Sequence, residues 1–534
     1  MPTSAQPAKK GLVTLRMGYL ENISQWVPTL DPADVTDTTG SIATHLMYEG
    51  LVGLKVVNGK PTVYPQLAAK LPTLSRDGKT YTFTLRRSLK FSNGDPLTAA
   101  DVVWSIRRAL AASAKSPVAS YDNLIQGFDA YNTGKSKSLG VRAAGNNVII
   151  KIQKRASYFL TAFTYNINLV LDKKVLQGKP ADDTGTYLTQ TCKAAVTSGP
   201  FKPVCNSSAT RDVTSFYRSG SSPTLTLVPN TRYHGRISNL KLVLPILDSS
   251  QTAYADFQSG NLDMASAVPS SDLAQWRGKK GAYLYPISGI EYLAPNIQEK
   301  PFDNVHCRLA LEYAIDRNAL DKNVLHGAYK PLYTVVPPGF VGFYNGKGTP
   351  HFSLSKAKSE LAKCPGGINT TYVWRNDTPD RRAEAPALQA MWKNAGINMQ
   401  LKGLVKNDWL PIILAPLSKS HTSLAYDDWF MDYPDPQDYM DILLTPSHVE
   451  DNMVWNNARY NNLIAKGNTA ATTSARARYY VQAQKLVLGQ AVFIPIDNFL
   501  ELDLVSPKVK GLVPDLGQSI VWAKNNDWSQ VSKS

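Results

Sequence analysis

The chain has 534 residues, of which 43% are hydrophobic and 19% are charged, and this composition excludes an intrinsically disordered protein and predicts two or three domains. Its 58 lysines and arginines exceed its 42 aspartates and glutamates and give a formal net charge of +16. The basic residues are scattered or stand in doublets, so we expect no nucleic-acid partner, and a positive surface facing an anionic envelope or membrane explains the charge better. Because no stretch of about 18 apolar residues occurs, the sequence predicts no membrane-spanning helix.

The amino terminus, MPTSAQPAKKG, does not read as a signal peptide. Its small residues, proline and lysine favour a flexible linker over residues 1–10. We interpret this segment as the start of a mature or truncated exported protein whose signal has been removed.

The four cysteines show no CxxC motif and no Cys/His spacing of a zinc site. Their even number permits two disulfides. Cys192 and Cys205 bracket a short polar loop, so a bridge is expected there, with isolated buried thiols as the alternative. The pairing of Cys307 with Cys364 stays open.

The clearest local structure near the amino terminus lies at residues 76–110. Apolar residues alternate along YTFTL at 81–85, as in a half-buried strand, and a turn follows at SNGD. Thr98 and Asp101 then match a capping box at the start of a helix with one apolar face. The region is predicted to be a sheet with a helix packed on it.

The next elements indicate an α/β architecture. Strand-like segments occupy 225–229 and 240–247, and a helical pattern within 251–265 ends at Gly260 before a short strand. Residues 301–325 have a helical pattern, with Leu311 and Ile315 one turn apart and Leu320 and Val324 repeating that spacing.

The second half contains a predicted βαβ unit. A strand at 370–375 precedes a helix at about 380–394, which ends at Gly396, and a strand follows at 397–404.

The elements group into an α/β region up to about residue 280, a second one from about 285 to 485, and a strand-rich tail, AVFIPIDNFLELDLV. A tail of strands after a complete second domain is typical of a chain that returns to its first domain. Two crossing connections would then form a hinge, with a ligand cleft between two lobes.

Motifs of common enzymes are absent: the sequence has no GxSxG elbow, no GxGxxG after a strand, no P-loop and no HExxH. Seven scattered histidines give no pointer to a catalytic triad. We therefore expect a binding protein rather than an enzyme, with no cofactor and no metal.

Residues 426–444, YDDWFMDYPDPQDYMDILL, gather aspartates and aromatic rings in one segment. Asp435 before Pro436 is predicted to cap a helix, Asp438 falls in its first turn, and Asp441 is assigned to a solvated helix face. The spacing does not fit a calcium loop.

Asp432, flanked by Trp429 and Tyr433, is not explained by helix capping. A carboxylate between aromatic faces suits a cation such as the α-amino terminus of a peptide, through a charge-assisted hydrogen bond and cation–π attraction. Asp427 and Asp428 also remain without a capping role.

The chain resembles the family 5 extracellular solute-binding proteins, the peptide/nickel-type receptors of ABC importers, and is most similar to their oligopeptide- and dipeptide-binding members. The resemblance covers almost the whole chain, and its motifs occur in the family's order. The matching stretches are THLMYEGLVG (44–53), the segment from PQLAAKLP to WSIRRAL (65–110), SGPFK (198–202), NTRYHG through QTAYADFQSGNLD (230–263), PFDNVHCRLALEYAIDR (301–317) and WFMDYPDP (429–436).

The resemblance implies an α/β, two-lobe periplasmic-binding-protein-like fold of type II, cluster C, with an extra subdomain in the first lobe and a hinge of two crossing strands. It implies an extracytoplasmic, monomeric protein at the cell surface, tethered by a lipidated cysteine that this chain lacks. Its expected partners are a peptide ligand and the membrane permease. The implied boundaries are 11–44, 190–282 and 490–534 for the core of lobe I, 45–189 for its subdomain and 283–489 for lobe II.

In peptide-binding members, the aspartate of the W..DY pattern forms a salt bridge with the α-amino group of the ligand, so the resemblance implies this role for Asp432. The main chain from Asp427 through Asp428 to Trp429 would pair with the peptide backbone as an added strand does.

Two further segments are implied to contribute to the cleft. GYLENIS at 18–24 resembles the first strand of the family, which suggests ligand contacts from Glu21, Asn22, Ile23 and Ser24. Tyr292 and Asn296 lie on the strand that enters the second lobe, where hinge packing alone could also require them.

One departure concerns ligand charge. Some oligopeptide binders carry an arginine three residues before the tryptophan of the motif, and this chain has Tyr426 there. The neighbouring Asp427 and Asp428 either favour a basic peptide or are simply solvated.

Two alternatives to peptide capture remain. A receptor of the same family could take an oligosaccharide or a metal chelate, since aromatic residues stack on sugars. An enzyme of the glycosidase or peptidase class could use the carboxylates at 427–441, because a suitably spaced pair suffices for glycoside hydrolysis.

Overall fold

The computed structural model of the protein describes residues 11–18, 20, 21, 29–36, 38–57, 60–179, 187, 188, 191–205, 217, 218, 224–247, 249–266, 268–413, 417–446, 453, 455–512 and 528–534. The predicted linker at 1–10 lies outside these residues. Within them, no helix is long and apolar enough to cross a membrane.

The described strands, in chain order, are β1 (Val13–Gly18), β2 (Leu20–Glu21), β3 (Val52–Val57), β4 (Lys60–Pro65), β5 (Thr73–Leu74), β6 (Thr80–Thr84), β7 (Val141–Ala144), β8 (Asn147–Lys151), β9 (Phe201–Pro203), β10 (Tyr217–Arg218), β11 (Thr224–Pro229), β12 (Leu240–Leu247), β13 (Met264–Ala265), β14 (Ala282–Pro295), β15 (Tyr329–Pro331), β16 (Asn369–Arg375), β17 (Asn398–Leu404), β18 (Leu424–Trp429), β19 (Ile494–Val505), β20 (Val509–Lys510) and β21 (Ser532–Lys533).

The described α-helices are α1 (Thr38–Met47), α2 (Ala99–Leu110), α3 (Phe128–Asn132), α4 (Phe159–Ala162), α5 (Lys173–Leu176), α6 (Ser250–Gln258), α7 (Leu273–Trp276), α8 (Val305–Tyr313), α9 (Arg317–Asn323), α10 (Leu354–Leu361), α11 (Pro379–Ala395), α12 (Lys406–Ile413), α13 (Leu417–Ser420), α14 (Gln437–Met440), α15 (Ala458–Thr469) and α16 (Thr473–Gly489).

One sheet spans the molecule. Among the described residues it holds thirteen strands, in the main order β10-β11-β12-β1-β13-β19-β14-β18-β16-β17. We call the part with β1 and β9–β13 the first lobe, the part with β16–β18 the second lobe, and β14 and β19 the hinge strands. The carboxyl-terminal strand β19 pairs with β13 in the first lobe and with β14 along its length. The predicted two-lobe α/β fold, with a tail that returns between the lobes, is therefore confirmed.

Residues 52–151 form a separate layer of the first lobe, with the four-stranded sheet β5-β6-β8-β7 and the hairpin β3-β4. Because side chains alternate along β6, Tyr81 and Phe83 point to the same face of the strand and pack in an apolar core with residues of α2. The predicted pairing at the start of α2 is confirmed, because the main-chain amide of Thr98 donates to the Asp101 carboxylate at 2.8 Å. This layer positions the loop before α3, which reaches the second lobe.

The second lobe contains the predicted βαβ unit, with β16 and β17 parallel and α11 between them. The helical pattern predicted over 301–325 is confirmed, and the structure divides it into two helices, α8 and α9. The helical conformation is interrupted at residues 314–316. There the Asp316 side chain accepts a hydrogen bond from the main-chain amide of Ala319 at 3.0 Å and caps a new helix. Capping residues compete with helix continuation in this way.

Both disulfides are present: Cys192 pairs with Cys205, as expected, and Cys307 pairs with Cys364. The first closes a separation of 13 residues in the first lobe, and the second ties α8 to the turn after α10.

Removal of the Cys192–Cys205 bridge is expected to destabilise the first lobe. Loop-closure entropy predicts a loss of about 3 kcal/mol for a loop of this length when both cysteines are changed to serine. The check is the urea midpoint of the double variant against that of the untreated protein. A midpoint equal to that of the parent would contradict the expectation. The reduced parent protein loses Cys307–Cys364 as well, so its midpoint should lie below that of the variant.

Candidate functional site

The acidic segment begins on a strand in the middle of the sheet. β18 runs antiparallel to the hinge strand β14, with Asp427 opposite Tyr292 and Asp428 opposite Glu291. After Trp429 the chain leaves the sheet and turns into the short helix α14. Asp432 therefore lies in the loop between β18 and α14, just after the strand that pairs with the hinge strand β14.

Asp432 contacts the first lobe directly. The hydroxyl of Tyr121 donates a hydrogen bond to the Asp432 carboxylate from a residue 311 positions away in the sequence. Burial and the Asp432 charge raise the pKa of Tyr121 well above its usual value, so the phenol remains a donor at all ordinary pH. The sequence did not single out Tyr121, because nothing near it in the chain indicates a partner in the other lobe.

A buried carboxyl group holds the loop around Asp432 in place. The Asp438 side chain is fully buried, and its Oδ2 accepts from the Trp429 indole at 2.9 Å and from the Asp432 main-chain amide at 3.0 Å. Burial, with the nearby Asp432 charge, raises the pKa of Asp438 well above its usual value. Asp438 lies in the first turn of α14, as predicted, and it also orients both Trp429 and Asp432.

Asp427 and Asp428 are not solvated, so that reading is wrong. Asp427 is 4% exposed and accepts a hydrogen bond from the Tyr292 hydroxyl. Asp428 forms ion pairs with Arg381 and with Arg375, the latter at 3.4 Å. Although burial opposes it, the two guanidinium groups hold the pKa of Asp428 below its usual value, so this carboxylate stays ionised and compensated.

Tyr426 stands beside an arginine that comes from another part of the chain. Its hydroxyl accepts a hydrogen bond from Arg381 Nε at 2.6 Å and donates to Asp428 at 2.7 Å. The Arg381 guanidinium also lies 4.8 Å from the centre of the Tyr426 ring. Arg381 of α11 thus lies beside Tyr426 and is engaged by Asp428, and in the sequence it belongs to the doublet in TPDRRAEA.

Tyr433 closes the side of the site that faces the first lobe. It is 2% exposed and belongs to the apolar core around β6 and α2, although it comes from the second lobe. Its ring meets Tyr121 edge to face, with 5.9 Å between centroids, and its hydroxyl donates to Gln437.

Two further contacts join the lobes. Ser157 donates its main-chain amide and its hydroxyl to the Asn468 carbonyl, each at 2.9 Å, and Ser270 of the first lobe donates to Asp380 at the start of α11. Together with the contacts of Tyr121 and Tyr433, they hold the two lobes against each other in this structure.

Two predicted roles in this segment need correction. The helix begins at Gln437, and Pro436 occupies the cap position that was predicted for Asp435. Asp435 is 4% exposed; it accepts from the Gln437 amide at 2.9 Å and forms an ion pair with Arg476. Asp441 is not on a solvated face, because it accepts from Asn468 at 2.7 Å and from the Gln437 side chain at 3.0 Å.

The structure shows packing roles for the two predicted hinge residues. Tyr292 is fully buried, with its ring stacked 4.2 Å from Phe493. Asn296 is 1% exposed, and its side chain accepts from the Gln298 amide at 3.1 Å in the turn after β14. Their contact with ligand stays a prediction.

The predicted first-strand contacts are only partly described. The main chain of Glu21 pairs with Leu247 in β12. Asn22, Ile23 and Ser24 lie outside the described residues.

Next to Tyr121, the buried side chain of Asp122 gives a pH-dependent prediction. Burial raises the pKa of Asp122 to about 7, against the effect of a hydrogen bond from Asn168 at 3.2 Å. Below the unfolded pKa of about 3.9, the carboxyl is protonated in both the folded and the unfolded state, and its burial does not lower the free energy of unfolding. As the pH rises from there to about 7, the unfolded chain loses this proton first, so the free energy of unfolding falls. Asp122→Asn is therefore expected to raise the unfolding midpoint relative to the parent more at pH 8 than at pH 4. An equal difference at both pH values would contradict this.

Comparison with known proteins identifies the class. The family described as "Bacterial extracellular solute-binding proteins, family 5 Middle" matches residues 62–451, and the chain belongs to this family. The oligopeptide-binding protein OppA of Bacillus subtilis is 27% identical over 95% of this chain and 92% of its own length. The structure of the Escherichia coli murein tripeptide binding protein MppA matches with a TM-score of 0.78 and 22% identity, over 98% of this chain and 99% of that one. The structure of Haemophilus influenzae OppA in complex with the peptide RPPGFSPFR matches with a TM-score of 0.76 and 21% identity, over 97% of this chain and 98% of that one.

These comparisons agree with the architecture. The structural matches establish the two-lobe fold, and the family consists of extracellular solute-binding proteins rather than enzymes.

Proposed function

We propose that the protein captures peptides between its two lobes and delivers them to the membrane permease of an ABC importer. The single observation that carries this proposal is the position of Asp432: a carboxylate on the loop that follows β18, the neighbour of the hinge strand β14, with Tyr121 of the opposite lobe as its hydrogen-bond partner. A peptide ammonium group at this carboxylate would contact both lobes at once, and a ligand that binds the closed state better shifts the population toward it.

The edge of β18 supports a backbone-directed mode of binding. Its parallel ladder with β16 contains only the pairs at Leu424 and Ala425, whereas its ladder with β14 continues to Trp429. A peptide that runs alongside the later residues of β18 would extend the sheet and would use main-chain hydrogen bonds common to all peptides.

The charges beside β18 argue against a requirement for a basic peptide. Asp428 is already ion-paired with two arginines, and Asp427 is hydrogen-bonded to Tyr292. Recognition then rests on the amino terminus at Asp432 rather than on basic side chains. The same internal pairing disfavours a glycosidase or peptidase, because Asp427 and Asp428 are engaged by protein side chains and are not available as acid, base or nucleophile for a substrate.

The remaining assignments are proposals that rest on the family. They comprise an extracytoplasmic location at the cell surface, a lipid anchor, a monomer, and the lobe boundaries 11–44, 190–282 and 490–534 with the subdomain at 45–189 and the second lobe at 283–489. The sheet order supports the return of the chain to the first lobe near residue 490.

Calorimetric titration of the unfolded and refolded protein with peptides of three to five residues tests the proposal. We expect saturable binding together with a smaller radius of gyration in X-ray scattering. Oligosaccharides of similar mass are the matched control. Saturable binding of the sugars with none of the peptides would overturn the assignment.

A further inference from the structure

Three buried carboxyl groups meet at the hinge, behind the site described above. They belong to Glu291 on β14, Asp497 on β19 and Glu384 on α11, and they are 2%, 3% and 4% exposed, respectively. One oxygen of each lies within 4.8 Å of an oxygen of each of the others. We call this group the hinge triad.

Strand register brings two of the three together. Glu291 is the direct cross-strand partner of Asp497, so the two side chains project from neighbouring strands at the same level. Like charges opposite each other destabilise a sheet, and a third carboxyl from α11 increases the repulsion.

The oxygens of the triad are poorly satisfied by the protein. Neither carboxyl oxygen of Asp497 accepts a hydrogen bond from the described residues, and the same holds for one oxygen each of Glu291 and Glu384. A buried carboxylate without a partner is costly, and the side chain of Asp497 is directed at the other two carboxyl groups.

The nearest positive charges are engaged elsewhere. Arg381, which acts on all three groups, is ion-paired with Asp428 and hydrogen-bonded to Tyr426. Arg317, which acts on Asp497, is paired with Glu312 at 2.8 Å. Once these pairs are counted, the triad has no cation of its own among the described residues.

We propose that the hinge triad is a binding site for a hard divalent cation. Its donors are all carboxylate oxygens, which suit Ca²⁺, Mn²⁺ or Mg²⁺ and not the nitrogen and sulfur preference of zinc. Oxygens about 2.3–2.6 Å from a common Ca²⁺ ion can be at most about 5 Å apart, and the 4.8 Å limit of the triad satisfies this. The bound ion would link both hinge strands to α11, and the inference does not depend on the ligand being a peptide.

The test uses the full chain, freed of metal with a chelator. At pH 8.5, Ca²⁺, Mn²⁺ and Mg²⁺ are titrated separately while the unfolding midpoint is recorded, and the bound metal is counted by elemental analysis. We expect a rise in the midpoint with at least one cation and one bound ion per chain. Burial and the charge of Asp497 raise the pKa of Glu384, so protons compete with the cation, and the affinity should fall as the pH is lowered to 6.

Asp497→Asn removes one donor charge and is expected to weaken cation binding at least tenfold. Asp122→Asn is the matched control, since it changes another buried carboxyl with an unsatisfied oxygen, and its cation response should equal that of the parent. Two outcomes overturn the proposal: a parent protein whose midpoint depends on pH but not on any of the three cations, or an Asp497→Asn variant with an undiminished response. If the Asp497→Asn variant fails to fold, the cation titration of the parent protein still tests whether the hinge triad binds a cation.

Discussion

Replacing Asp432 by asparagine is expected to weaken the binding of a peptide with a free amino terminus by about 2–5 kcal/mol, roughly 30-fold to 4,000-fold in Kd. The ammonium group would lose its charged partner in a region closed by Tyr121 and Tyr433. The Tyr121 hydroxyl can still donate to the asparagine oxygen, so the fold should change little. Calorimetric titration gives the two affinities.

A blocked peptide separates the salt bridge from other effects of the Asp432 substitution. Acetylation of the amino terminus removes the ammonium charge, so the parent protein and the variant should bind the acetylated peptide about equally, and the coupling energy is read from the four affinities. The exposed Asp408→Asn serves as the charge-matched control and should leave affinity unchanged. An Asp432→Asn variant that binds the free peptide as the parent does would remove Asp432 from the site.

Replacing Arg476 by methionine is expected to destabilise the protein by about 3–5 kcal/mol, because it leaves Asp435 buried without its counter-ion. The side chains are 9% and 5% exposed, and Arg476 Nη1 donates to Asp435 at 2.6 Å. Arg476 also donates to the Tyr480 hydroxyl at 3.0 Å. The pair joins α16 to the turn that precedes α14, so its loss should also loosen the loop of Asp432. The urea midpoint measures the effect.

Two controls accompany the Arg476 variant. Adding Asp435→Asn should restore part of the lost stability, since no uncompensated charge then remains buried. Lys174→Met breaks the exposed pair with Asp95, where the lysine side chain is 76% exposed, and it should change the midpoint little. A loss no larger for Arg476→Met than for Lys174→Met would contradict the role of the buried pair.

Much of the fold follows from local patterns in the sequence. Alternation along β6, the capping pair of Thr98 and Asp101 and the βαβ unit of β16, α11 and β17 all act over short distances, so a single sequence reveals them. The returning tail was predictable because a strand-rich segment follows an already complete second α/β region, and β19 indeed pairs with β13 of the first lobe. The break before α9 was missed, since the apolar spacing continues across Asp316 while its side chain caps a new helix.

The site was less accessible to sequence reasoning. The segment around Asp432 stands out by composition, but its partners do not: Tyr121 lies 311 residues away, and Arg381 reaches Asp428 across 47. The burial of Asp427 could not be predicted either, since a pair of adjacent aspartates is usually solvated. The contact between Glu291 and Asp497 depends on strand register, which a bulged ladder between β14 and β19 sets.

The most direct test of peptide capture is to denature the purified protein and identify the small molecules it releases by mass spectrometry. A closed two-lobe receptor can retain its ligand through purification, so we expect short peptides with free amino termini, without enrichment in basic residues. Release of oligosaccharides or a metal chelate, with no peptide, would contradict peptide capture and the role of Asp432 together.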